Sequence, residues 1–270
     1  MKVGRLMDKK IIFFDIDGTL LSETTHQIPE STKLALKVAR EQGNLLFINT
    51  GRCISNIDPV IKELDFDGYV CGCGTYIEYR GEKLLTNSFD HSFAKELIDD
   101  IHQCRVDAIL EGQNGTYFEN DDSIVDETVK KIKDHNIKHN LCDVRSFYDD
   151  SFEFDKFVIW TNENSDFPKF HKKYLDKFDF IQREENFYEL VPIGYSKATG
   201  IEFLLEHLGI DFDNTYALGD STNDLSMLRY VKHSIAMGNS NPILFDLVSY
   251  VTTDIEEDGV FNALKYYGII

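Results

Sequence analysis

Ile11-Ile12-Phe13-Phe14-Asp15-Ile16-Asp17-Gly18-Thr19-Leu20 sets an unbroken apolar run against two acids spaced by one residue. The run reads as a strand, Lys10 to Phe14. Strand alternation carried past its end puts Asp15 and Asp17 on one side and Ile16 on the other, and Gly18 lets the backbone turn sharply. Two carboxylates so placed, ~4 Å apart at an effective dielectric near ~20, repel by about 4 kcal/mol. A cation or a shared proton must offset that.

Outward from this strand, Pro29 precedes a helix expected over Glu30 to Gln42, with Leu34, Ala35 and Val38 on its apolar face and Gly43 at its end. Leu45 to Ile48 is a second strand, buried on both faces, so strand, helix and strand make a right-handed parallel crossover. The pattern returns near the C-terminus. A helix over Lys197 to Leu208, a short strand Tyr216 to Leu218, a helix over Asp224 to Tyr230 and a strand Ser234 to Ala236 precede Val251 and a last helix from Gly259 to Tyr267. The fold expected is α/β, a doubly wound parallel-sheet core of Rossmann type assembled from both ends of the chain.

Between those halves the texture changes. Phe93, Leu97 and Ile101 recur at helical spacing before a strand at Val106 to Leu110. A helix near Ser123 to Lys133, a strand Phe157 to Trp160 and a helix over Phe167 to Lys177 follow. Residues 1–84 and 190–270 are thus assigned to the core, and 85–189 to an inserted smaller α/β domain. Tyr117, Phe118 and Trp160 read as its hydrophobic core rather than as pocket lining.

With 28 Lys and Arg against 47 Asp and Glu, the formal net charge is −19, a field that repels nucleic acid and acidic membrane surfaces. Cys53, Cys71, Cys73, Cys104 and Cys142 form no CxxC pair, so neither a zinc site nor a disulfide framework is indicated. Met1 to Met7 is basic but lacks a following apolar stretch of secretory length, and no run approaches a membrane span. A cytoplasmic protein is expected. His26, His91 and His207 have no visible partner and take surface or packing roles.

Further polar residues fall where strands end or helices begin: Thr50-Gly51-Arg52 after the second strand, Lys197 at a helix entrance, and Gly219-Asp220-Ser221-Thr222-Asn223-Asp224 after the strand at 216–218. Singly, each has a plain structural explanation. Asp17-Gly18 and Thr50-Gly51 are turns, Lys197 is a solvated helix residue, and Asp220-Ser221 and Asn223-Asp224 are helix caps. Together, four acids, a hydroxyl and a lysine at one sheet edge form a metal site with an anion receptor beside it.

In order and context these motifs resemble those of the haloacid dehalogenase-like superfamily: Asp15-Ile16-Asp17-Gly18-Thr19-Leu20 its first, Thr50 its second, Lys197 its third, and Gly219 to Asp224 its fourth. The long interval from Thr50 to Lys197 places a cap between the second and third motifs, similar to the Cof-type sugar phosphatases. Gly72-Cys73-Gly74 departs from the Asn-Gly that many of those carry. The resemblance implies a Mg²⁺-dependent phosphatase acting on a small phosphorylated metabolite through an aspartyl-phosphate. Asp15 is then the nucleophile and Asp17 the general acid and base. Asp15, Asp17 (through its carbonyl), Asp220 and Asp224 serve the metal, and Thr50, Gly51, Arg52, Lys197 and Asn223 the phosphate, with Arg52 equally open to a salt bridge. Phosphotransfer or mutase chemistry through the same intermediate, and non-catalytic phosphate binding, are the alternatives. Dehalogenation is disfavoured, since a departing halide needs no proton from Asp17. The inserted cap is expected to set specificity.

Overall fold

The computed structural model describes residues 9–139, 141–150 and 152–270; Met1 to Met7 lie outside the described residues. In chain order it runs β1 (Ile11–Phe14), α1 (Glu30–Glu41), β2 (Leu45–Asn49), α2 (Pro59–Lys62), β3 (Gly68–Cys71), β4 (Tyr76–Tyr79) and β5 (Glu82–Thr86). Then come α3 (His91–Cys104), β6 (Asp107–Gly112), β7 (Gly115–Phe118), α4 (Glu127–His139), β8 (Val144–Ser146), β9 (Lys156–Trp160), α5 (Phe167–Tyr174), β10 (Phe178–Glu184) and β11 (Phe187–Pro192). The chain closes with α6 (Lys197–Leu208), β12 (Thr215–Gly219), α7 (Leu225–Tyr230), β13 (His233–Ala236), β14 (Tyr250–Val251) and α8 (Gly259–Tyr266).

Two compact units result, one of residues 1–51, 62–84 and 196–270, the other of Arg52–Ile61 and Leu85–Tyr195. In the first, the sheet order is β14-β13-β12-β1-β2-β3-β4-β5 among the described residues. Ile11 to Phe14 pair in parallel with Leu45 to Ile48 on one side and Thr215 to Leu218 on the other. All four β1 side chains are fully buried, as a strand covered on both faces requires. This α/β sheet is the fold the apolar runs indicated. It carries an antiparallel addition, β4 against β3, that they did not.

The register decides where chemistry can sit. Phe14, Ile48 and Leu218 lie in one row, so the chain leaves β1, β2 and β12 together at Asp15, Asn49 and Gly219. That row is the carboxyl edge of a parallel sheet, where such folds bind ligands.

The second unit holds a sheet of order β10-β11-β9-β6-β7-β8 among the described residues, antiparallel except where β7 meets β8. One face packs Leu97, Ile101, Leu110, Phe157 and Phe170; the other packs Ile109, Phe118, Val129, Val158 and Trp160. Tyr117, Phe118 and Trp160 are core here, as expected. The boundaries read from sequence need correcting at two places. β11 continues from 189 through Pro192, so 190–195 stay with the insert. Arg52–Ile61 also join it, because Ser55 donates to the Gly112 carbonyl at 2.6 Å and Asn56 bonds Glu111 and Thr116 at 2.9 and 2.7 Å. The helix expected near Ser123 starts at Glu127, since the Asp107 carboxylate holds the amides of Val125 and Asp126 in a loop. Among the described residues no helix is long and apolar enough to cross a membrane.

Candidate active site

Asp15 is the first residue past β1, and its amide donates to the Leu218 carbonyl at 3.1 Å. The chain then closes on itself, with the amides of Leu20 and Leu21 on the Ile16 carbonyl at 2.9 and 2.8 Å. Gly18 has φ +75°, and a Cβ there would lie 2.4 Å from Asp220 Oδ2. Only glycine fits both the left-handed backbone and that approach. Gly18→Ala is therefore expected to destabilise the protein by ~1–3 kcal/mol and to displace Asp220; a thermal melt like the parent's would contradict this.

Asp220 and Asp224 come from the turn after β12. Asp224 is fully buried, and its Oδ2 accepts from the amides of Asp220 (3.0 Å) and Ser221 (3.1 Å). Gly219 permits this, since a Cβ there would sit 2.6 Å from the Asp224 carboxylate. Thr19 Oγ1 donates to Asp220 Oδ1 at 3.3 Å, joining the two turns. Carboxylate oxygens of Asp15, Asp220 and Asp224 all lie within 4.8 Å of one another.

Lys197 opens α6, whose N-cap Ser196 accepts from the Thr199 amide at 3.2 Å. Its ammonium reaches Asp15 Oδ1 at 2.7 Å and Asp224 Oδ1 at 2.6 Å, with the side chain 1% exposed. Asn49 Nδ2 holds the Lys197 carbonyl at 2.9 Å, tying the end of β2 to the start of α6.

Lys197 thus bonds two of the three acids, and the crowding of carboxylates shows in the titration of Asp15 and Asp220. Burial first, then Asp224, pushes the Asp15 carboxyl up to about 7 against the pull of Lys197, while Asp17 adds least. Burial, Asp224 and Asp15 push Asp220 up to about 8. Burial opposes the Lys197 charge, yet Asp15 and Asp224 hold it protonated well above its ordinary range. The repulsion expected between Asp15 and Asp17 is therefore minor. β1 ends at Phe14, so strand alternation stops short of Asp17, which bridges to Leu21 and is half-buried. The stronger repulsion comes from a residue more than two hundred positions away.

Thr50 is 2% exposed just past β2, its amide on the Val70 carbonyl at 2.9 Å and its own carbonyl accepting from Cys73 at 3.2 Å. Cys73, in the segment that departs from the family pattern, takes the left-handed φ of +56°. Gly51 follows Thr50 in the first unit and is half-buried. Asn223 lies in the turn between Asp220 and Asp224, its Oδ1 accepting from the Ser221 hydroxyl. Arg52 belongs to the second unit, where it pairs with Asp58 at 2.8 Å. Thr19 and Asn49 were not singled out from sequence; a polar residue closing the apolar run 45–48 was the available signal for the latter.

A three-carboxylate, all-oxygen donor set fits a hard divalent cation. A sequence profile described as haloacid dehalogenase-like hydrolase matches residues 12–264. The Bacillus subtilis (strain 168) protein named "Putative phosphatase YkrA" is 29% identical, with 98% of this chain and 100% of the relative covered. The 5-amino-6-(5-phospho-D-ribitylamino)uracil phosphatase YcsE of the same organism is 25% identical over 97% of this chain and 96% of its own. Among solved structures, the subclass IIB sugar phosphatase BT4131 superposes with TM-score 0.79 at 30% identity, covering 97% of this chain and all of that one.

Proposed function

Because this chain belongs to the haloacid dehalogenase-like hydrolases, we propose that it is a Mg²⁺-dependent phosphatase of a small phosphorylated metabolite, a sugar phosphate or similar monoester. The observation that carries this reading is the buried Lys197, bonded to both Asp15 and Asp224 inside a triad that still lacks positive charge.

Asp15 attacks phosphorus, and the ester oxygen leaves as an aspartyl-phosphate forms. Asp17, half-buried and one residue beyond Ile16, protonates the leaving alkoxide and then takes a proton from the water that cleaves the intermediate. Lys197, Thr50, Asn223 and the turn amides after Asp15 hold the phosphoryl oxygens, where charge develops. Asp15, Asp220 and the Asp17 carbonyl would hold Mg²⁺. Asp224, with Oδ2 on two amides and Oδ1 on Lys197, orients that set. Bound there, the ion would supply charge neutralisation. Substrate choice is assigned to the second unit, the inserted cap of the sequence reading.

The folded protein retains protons on Asp15 and Asp220 at pH values where the unfolded chain has lost them, so without metal its stability falls as pH rises toward about 8. Mg²⁺ relieves the repulsion that grows over that window. Differential scanning fluorimetry should show a larger Mg²⁺-induced rise in Tm at about pH 8 than at about pH 6, since the ion must displace protons at the lower value. Equal rises would contradict the triad as the binding site.

Phosphometabolites assayed with Mg²⁺ and with EDTA test the function. Inorganic phosphate released from a monoester with Mg²⁺ alone supports it. An isomerised ester without phosphate release marks a mutase, and binding without turnover a non-catalytic protein.

A further inference from the structure

Besides the Thr19–Asp220 hydrogen bond and the shared Lys197, two later segments of the first unit hold the turn bearing Asp15 and Asp17 against the turn bearing Asp220 and Asp224. In Met237 to Asn241, which follows β13, the Met237 amide donates to the Gly219 carbonyl at 3.1 Å and the Asn241 amide to that of Asp220 at 2.9 Å. The same segment reaches the other turn through Asn239, whose Nδ2 donates to the Gly18 carbonyl at 2.8 Å. Asn239 Oδ1 accepts from the Ile255 amide at 3.0 Å, so each end of the side-chain amide meets a backbone group of the matching kind.

Residues 252–259 press this segment into place from behind. The Gly238 amide donates to the Thr253 carbonyl at 2.9 Å, and a Cβ on Gly238 would lie 2.4 Å from the Asp254 nitrogen. Glu256 accepts from the Ser22 hydroxyl, and Ser22 Oγ accepts from the amides of Thr24 and Thr25 at 3.1 and 3.0 Å. The C-terminal segment therefore meets the chain at Ser22, beyond the Gly18 turn, and supports Asn239 at Gly18 itself. The clamped carbonyl belongs to the peptide leading into Thr19, the residue that donates to Asp220.

We propose that Asn239 is a positioning residue. Through Gly18 it sets the spacing of Asp15 from Asp220 and Asp224, and so the affinity of the triad for a divalent cation. This rests on the reading of the triad as a cation site, and it concerns affinity rather than fold. Asn239→Asp keeps the acceptor for Ile255 but loses the donor to Gly18 and sets a carboxylate oxygen against that carbonyl.

Isothermal titration of the substrate-free protein with Mg²⁺ is expected to show affinity weakened about tenfold or more in Asn239→Asp, and kcat for p-nitrophenyl phosphate at a fixed Mg²⁺ concentration to fall similarly with KM little changed. Asn262→Ala is the comparison: Asn262 holds Thr253 Oγ1 and the Glu257 carbonyl at 2.9 and 3.1 Å, so its loss loosens the C-terminal segment without touching Gly18. It should bind Mg²⁺ as the parent does. Unchanged Mg²⁺ affinity in Asn239→Asp overturns the proposal, as does an equal loss in Asn262→Ala at equal loss of Tm. If Asn239→Asp fails to fold, Asn239→Ser carries the same comparison. A parent protein that binds Mg²⁺ but hydrolyses no ester would sink the proposed function while the isotherms still decide the role of Asn239.

Discussion

Asp15→Asn is expected to fold and to hydrolyse p-nitrophenyl phosphate with Mg²⁺ at least about 10³-fold more slowly than the parent, because it removes the nucleophile itself. The amide has nearly the carboxylate's shape and can still accept from Lys197. Lys197 also keeps Asp224 at 2.6 Å, so no buried cation is stranded. Burial, the first cause of the raised Asp15 titration, penalises a charge that asparagine does not carry. Stability near neutral pH should therefore hold or rise while turnover disappears. Steady-state kinetics beside a thermal melt checks both, and activity within about tenfold of the parent would rule out Asp15 as nucleophile.

Lys197→Met should damage both fold and activity. The lysine is the shared partner of Asp15 and Asp224, and its removal leaves charges that burial disfavours. Removing one partner of a buried ion pair costs ~3–5 kcal/mol, and here two acids lose theirs. Urea unfolding should show that loss without Mg²⁺ and a partial recovery with it, because the ion can take over some of the neutralisation. kcat/KM should fall about 10²-fold or more with Mg²⁺ present, since the phosphoryl group loses a charged contact from a buried lysine. A variant with parental kcat/KM would take Lys197 out of the site.

The centre of the core sheet was legible because β1 and β2 are continuous apolar runs, whereas Glu78 in β4 and Glu82 and Lys83 in β5 interrupt theirs, and Lys197–Leu208 was read as a helix with the bounds it has. The candidate site residues of the first unit stand where those runs stop or, for Lys197, where a helix opens. Less legible was which acid troubles Asp15. Asp17 is two residues away, but the chain turns before it can align, whereas Asp224 arrives through the pairing of β1 with β12. The β10–β11 hairpin was missed because Asp179, Gln182, Arg183 and Glu184 break its apolar pattern on a partly exposed strand. Ser55 and Asn56 carry no local sign that they bond to the insert, and Asn239 looks like any loop asparagine.

If Asp15 is the nucleophile, phosphorus passes through a covalent bond to its carboxylate. A thiophosphate monoester made chiral at phosphorus with one oxygen isotope, hydrolysed in water of another, reports this directly. Two in-line displacements, first by Asp15 and then by water, predict that the released thiophosphate retains configuration. Inversion would mean that water attacks the ester in one step, with no aspartyl-phosphate at Asp15.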